Sequence, residues 1–162
     1  MILRMSRYPV IDSQDETVAS LVPHTDSGFM TLLPPNRVPG LSILLPSGRW
    51  IDAPGMEGAY VVKGGDILHR WTNERFLSTP HRVCNVSGQV RYAVPFFCDP
   101  DHDTVIECLP TCCSANNPAK NPPIRFGDYA LWFASRSYQH MAKEPALPDA
   151  VVAPGARATA RW

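Results

Sequence analysis

The 162-residue chain has no excess of charge of either sign, with 15 Lys and Arg against 15 Asp and Glu. Without a basic balance it has no electrostatic footprint for nucleic acid or an anionic membrane, so neither is expected as a partner. It also lacks any apolar run near the roughly 18 to 20 residues that cross a bilayer, and Met1-Ile2-Leu3-Arg4-Met5 is too short and polar to open a signal peptide. A soluble, cytoplasmic protein is the expectation. Cysteine is scarce, with five in all, an odd number with no Cys-x-x-Cys spacing. Cys84, Cys98, Cys108, Cys112 and Cys113 are therefore read as buried or incidental thiols, not as a disulfide framework or zinc knuckle. No internal repeat is visible, and the length suits one domain with a tail.

What the chain does have is punctuation, with 17 prolines and 10 glycines. They separate short apolar or alternating runs rich in β-branched and aromatic residues, a pattern that predicts an all-β core. Strands are expected over Ile2 to Tyr8, Val18 to Val22, Phe29 to Leu33, Leu41 to Leu45, Gly58 to Lys63, Asp66 to Thr72, His81 to Val86 and Gln89 to Cys98, a set suited to a jelly roll or sandwich. The core is expected to span residues 1–110, followed by a connector and one helix over 111–143. Asp128 is the expected N-cap, with Tyr129, Trp132, Phe133 and Tyr138 at helical spacing up to about Met141. Residues 144–162, mostly Ala, Pro, Val and Arg without periodicity, read as a flexible tail.

The first chemical signal is His24-Thr25-Asp26. Ligand-type residues at i and i+2 on a strand project to one face and can grip the same ion. His81, in Thr79-Pro80-His81-Arg82-Val83, is a third candidate that antiparallel strands could return to the same barrel mouth. Two imidazoles and one carboxylate form the set that binds one face of iron(II) and leaves the other open. Zinc could occupy the same donors. His69, His102 and His140 have no matching neighbours and receive no metal role.

Taken in order, these residues resemble the isopenicillin N synthase-like branch of the iron(II)- and 2-oxoglutarate-dependent dioxygenases. His24-Thr25-Asp26-Ser27-Gly28-Phe29-Met30-Thr31-Leu32-Leu33 is similar to its first metal motif, and Pro39-Gly40-Leu41 to the turn and strand that follow. Gly65-Asp66 with Trp71-Thr72-Asn73 resembles its mid-barrel signature, and Ser78-Thr79-Pro80-His81-Arg82-Val83 its distal histidine motif. Arg91-Tyr92-Ala93 through Phe96-Phe97 resembles its co-substrate strand. Gly127-Asp128-Tyr129 and Ser137-Tyr138-Gln139-His140 resemble its closing helix.

The resemblance implies a double-stranded β-helix, or jelly roll, with iron(II) at one open end, 2-oxoglutarate and dioxygen as co-substrates, and oxidation of a small organic metabolite by hydroxylation, desaturation or cyclisation. It implies that Arg91 forms a salt bridge with the far carboxylate of 2-oxoglutarate, a task suited to a planar guanidinium held on a strand. It also implies that the Tyr8 hydroxyl reaches the same co-substrate. Ala93 replaces the serine usual in the family, and the missing hydrogen bond corresponds to about 0.5 to 1.5 kcal/mol of co-substrate affinity. Ser6 stands where many members have asparagine, and Lys63-Gly64 replaces a more usual asparagine and aliphatic residue. Members of the family usually carry a helical N-terminal region that packs on the barrel, whereas this chain begins almost at the first barrel strand. Two alternatives follow: an iron oxidase of the same fold that does not use 2-oxoglutarate, and a non-catalytic metal-binding fragment. The sequence leaves the oligomeric state open, a monomer being one possibility.

Overall fold

The computed structural model describes residues 1–11, 19–53 and 55–137. Its strands are β1 (Ile2–Leu3), β2 (Ser6–Tyr8), β3 (Leu21–His24), β4 (Met30–Leu33), β5 (Leu41–Leu44), β6 (Trp50–Asp52), β7 (Val61–Gly64), β8 (His81–Val83), β9 (Arg91–Ala93), β10 (Phe96–Cys98), β11 (Val105–Ile106) and β12 (Ile124–Arg125). Helix α1 covers Asp66–Trp71, a 3-10 turn covers Pro110–Cys112, and α2 covers Phe126–Ser137. All the strand pairs are antiparallel. Two four-stranded sheets, ordered β1-β10-β4-β7 and β3-β8-β5-β6, form the jelly roll, with the ribbons β2-β9 and β11-β12 beside them. Leu33, Leu41, Val83 and Ala93, with Tyr8, Leu21 and Val61 packed against them, join strands of both sheets and the β2-β9 ribbon in one apolar cluster. No helix among the described residues is long and apolar enough to cross a membrane.

The expected strands need several corrections. Asp66 to Thr72 is not a strand but α1. Ile67 and Trp71, four apart, join a cluster with Ile106, Ile124, Phe126, Tyr129 and Trp132, which is helical spacing and not alternation. A six-residue helix has little stability of its own, so this packing holds it in place. It ends where Asn73 and Glu74 take positive φ, at 52° and 70°. The Asn73 side chain then ties down the connector, donating to the carbonyls of Cys112 and Pro118 and accepting from the Lys120 amide.

The run from Gln89 to Cys98 breaks at Val94-Pro95, because proline has no N–H for the ladder. Its halves join different partners, β9 pairing with β2 and β10 with β4 and β1. Ile2 to Tyr8 likewise divides into β1 and β2. β6 was not expected as a strand; it pairs with β5 over Ser42 to Leu44. The strand expected from Val18 lies at Leu21–His24 instead, Val18 itself being outside the described residues. Helix α2 starts at Phe126, two residues before the expected cap, and Asp128 sits in its first turn bonded to Arg125. The expected extension to Met141 and the tail over 144–162 lie outside the described residues.

Asn85, fully buried after β8, fixes the β2-β9 ribbon. Its Nδ2 donates to the carbonyls of Tyr8 at 2.9 Å, Pro9 at 3.1 Å and Gln89 at 2.8 Å. Asn85→Ala removes the three hydrogen bonds made by this fully buried amide and is expected to cost about 1 to 3 kcal/mol of stability. Urea unfolding of the metal-free chain checks this, and a loss below about 0.5 kcal/mol would contradict the role assigned to Asn85.

Candidate metal and co-substrate site

His24 closes β3 directly opposite His81, the first residue of β8, in a ladder whose register shifts between Leu21 and His24. Asp26 lies beyond the end of β3, so the loop brings it back toward the histidines, not the strand alternation expected from i and i+2. That loop is anchored by backbone. The amides of Asp66 and Ile67, at the start of α1, donate to the carbonyls of Asp26 at 2.8 Å and Gly28 at 3.0 Å. Gly65 must be glycine here, since a Cβ would lie 2.2 Å from the Gly28 oxygen and 2.9 Å from the Asp26 oxygen. Buried Asp66 also accepts from the hydroxyls of Tyr129 at 2.7 Å and Thr25 at 3.4 Å, so α2 helps hold the residue between the two candidate ligands.

Both imidazoles are oriented by carbonyls. His24 Nδ1 donates to Val22 at 2.9 Å and His81 Nδ1 to Thr79 at 3.1 Å, which leaves each Nε2 unprotonated and able to accept. Those Nε2 atoms stand 3.9 Å and 3.6 Å from Asp26 Oδ1. One donor atom from each of His24, Asp26 and His81 lies within 4.8 Å of the others, the one such group among the described residues. Asp26 Oδ2 accepts from Thr31 Oγ1 at 2.6 Å, a supporting contact that carried no sequence signal of its own. Lys63 Nζ lies 2.8 Å from Asp26 Oδ2 and 2.5 Å from His81 Nε2. A cation thus already sits among the donors, which fits a set built for a divalent metal.

The cavity beside these residues, ≈ 580 Å³ in volume, is bordered by Arg91, Tyr8 and Ala93. The β2-β9 register sets Tyr8 opposite Arg91 and Ser6 opposite Ala93. Arg91 is buried, its guanidinium 5.5 Å from the Tyr8 ring centroid and its Nε donating to the Val38 carbonyl at 3.3 Å. Its Nη1 is buried without a hydrogen-bond partner among the described residues. Arg91 borders the cavity, and a guanidinium that keeps an unpartnered nitrogen fits an incoming carboxylate. Ala93 brings no donor to that wall.

The matched family decides the identification. The model of the 2OG-Fe(II) oxygenase superfamily matches residues 1–100. The chain belongs to the 2OG-Fe(II) oxygenase superfamily. Over 139 residues it is 42% identical to the 2-oxoglutarate-Fe(II) type oxidoreductase hxnY of Emericella nidulans, a match covering 84% of this chain and 40% of the relative. Its fold is similar to that of a full-length Neurospora crassa protein solved in complex with alpha-KG and thymine, with a TM-score of 0.77 and 34% identity over 84% of this chain and 44% of the other. JOX2 in complex with 2OG, Fe and JA is similar at a TM-score of 0.73 and 34% identity, over 80% of this chain and 38% of that one. The chain thus spans less than half the length of each of these relatives. The superfamily takes its name from iron(II) and 2-oxoglutarate.

The donors of this superfamily member sit in a strongly perturbing environment. Burial raises the Asp26 pKa, but the charges of Lys63 and His81 and the bonds from Lys63 and Thr31 outweigh it and bring the value to about 2. Burial, then the Lys63 charge, lowers His81 to about 3 against the pull of Asp26. Burial also lowers His24, opposed by the Val22 carbonyl and Asp26.

Both quantified shifts act on stability in the same direction. Unfolded His81 takes up a proton below 6.5 and folded His81 only below about 3, while the corresponding values for Asp26 are 3.8 and about 2. In each window the unfolded chain binds more protons, so stability falls on acidification, from 6.5 toward about 3 for His81 and from 3.8 toward about 2 for Asp26. Urea unfolding of the metal-free chain between about pH 7.5 and 4.5 should show this loss. In His81→Gln the slope should be shallower, and an unchanged slope would contradict the assignment.

Proposed function

We propose that the chain is the catalytic barrel of an oxygenase that couples decarboxylation of 2-oxoglutarate to oxidation of a small organic metabolite. The observation that carries this reading is the convergence of His24, Asp26 and His81 beside a cavity that Arg91 also borders, with one guanidinium nitrogen lacking a partner among the described residues. Iron(II) held by the three donors would supply dioxygen activation. In the overall reaction 2-oxoglutarate becomes succinate and carbon dioxide, one oxygen atom of dioxygen entering succinate and the other entering the substrate or leaving as water.

Each residue has a physical task. Asp26 brings negative charge, and the imidazoles, tethered at Nδ1, bring neutral lone pairs in fixed directions, leaving residual positive charge for an anionic keto acid. Arg91 offers paired donors to the far carboxylate, and Tyr8, beside it on β2, borders the same space. Ala93 adds apolar wall and no hydrogen bond, which weakens co-substrate affinity without removing the anchor. Use of 2-oxoglutarate is favoured over the oxidase alternative by the orphaned Arg91 nitrogen and by relatives named for that co-substrate.

Anaerobic titration with iron(II) and then 2-oxoglutarate tests this reading through a saturable visible charge-transfer band. His81→Ala is expected to abolish iron binding at useful concentrations. Arg91→Ala is expected to retain iron but to weaken 2-oxoglutarate binding by about 10- to 100-fold, the loss of a charge-assisted contact of about 1.5 to 3 kcal/mol. Iron bound tightly by wild type with no band at saturating 2-oxoglutarate would overturn the co-substrate reading.

A further inference from the structure

Lys63 stands where the resembling family usually has asparagine, on β7 opposite Thr31 of β4. Thr31 and Lys63 both reach Asp26 Oδ2, at 2.6 Å and 2.8 Å. The ammonium also takes the Nε2 lone pair of His81 at 2.5 Å, the atom that a metal would need. Its side chain is only 9% exposed, so this is a buried ion pair and not a surface contact. Among the described residues the other charged side chains bordering the cavity are Arg4, Arg7 and Arg91, and Asp26 is the one carboxylate described on its wall.

We propose that Lys63 is an internal occupant of the metal site: its ammonium holds Asp26 and His81 together in the metal-free chain and must withdraw for a divalent cation to enter. Both cations require the same carboxylate and the same imidazole nitrogen, and two positive charges at that separation in a low-dielectric wall repel strongly. Metal loading is therefore an exchange, and the apparent metal affinity is reduced by the share of molecules in which the ammonium is seated. Lys63 has the reach for this, with a flexible four-carbon stem that can swing its charge into the cavity. The inference rests on His24, Asp26 and His81 being the ligands, and the test separates the two ideas.

Binding of manganese(II), followed at one fixed pH by the electron paramagnetic resonance signal of the free ion, is compared in wild type, Lys63→Met and His81→Ala. Exchange predicts that Lys63→Met binds manganese roughly tenfold tighter or more, because the competitor is gone. Equal or weaker binding by Lys63→Met overturns the exchange, while loss of binding in His81→Ala in the same series upholds the ligand set. Wild-type affinity in His81→Ala overturns the ligand set and the exchange with it.

A second measurement needs no variant and decides the matter if Lys63→Met does not fold. Trace acetylation of the wild-type chain with acetic anhydride, read by mass spectrometry, reports the reactivity of Lys63 against Lys120, whose side chain is 47% exposed. Manganese is expected to raise Lys63 labelling several-fold relative to Lys120 as the ammonium is freed. Unchanged or reduced labelling overturns the proposal.

Discussion

The docking of the Asp26–Gly28 loop on the first turn of α1 is the constraint on which the site depends. Two backbone bonds, from the amides of Asp66 and Ile67, hold the loop, and Gly65 provides the close approach that they need. Amides at the start of a helix have no partner within it, so the loop carbonyls satisfy donors that would otherwise be stranded. Asp66 extends the contact through its carboxylate to Thr25 and Tyr129, linking the loop to α2. Ile67 does the same through the apolar cluster that includes Ile106, Phe126 and Trp132. Helix, connector and second ribbon thus brace the short stretch that turns Asp26 toward the histidines.

Charge is concentrated around this brace in a way the neutral composition hides. Asp26 is buried among Lys63, His24 and His81, and Arg91 is buried farther along the cavity wall. Desolvation offsets much of the attraction within such a buried ionic group. Among the described residues the wall has more cations than anions, which suits the α-keto acid proposed as its ligand. Burial pushes the Lys63 and Arg91 pKa values downward, which marks the cost of holding these charges where a ligand can meet them.

Much of the fold was legible because Pro and Gly punctuation and β-branched runs report local preference. The jelly roll and most strand positions follow from them. Errors fell where a run was short and apolar. Asp66 to Trp71 could be either strand or helix by composition, and only its packing on Ile106 and Trp132 settles it as a helix. Residues 89 to 98 look continuous until Pro95 sends the two halves to different partners.

For the site, the sequence by itself determined the donor types at His24, Asp26 and His81, the guanidinium at Arg91 and the departures at Ala93 and Lys63, since chemistry resides in side-chain identity. Tertiary structure alone decided how they meet. Asp26 reaches the histidines through a loop braced by α1, Thr31 arrives from β4, and Lys63 comes from the neighbouring β7 to sit among the donors. These contacts join residues far apart in the chain, and no local propensity or spacing encodes a distance that exists only after the sheets have paired and closed.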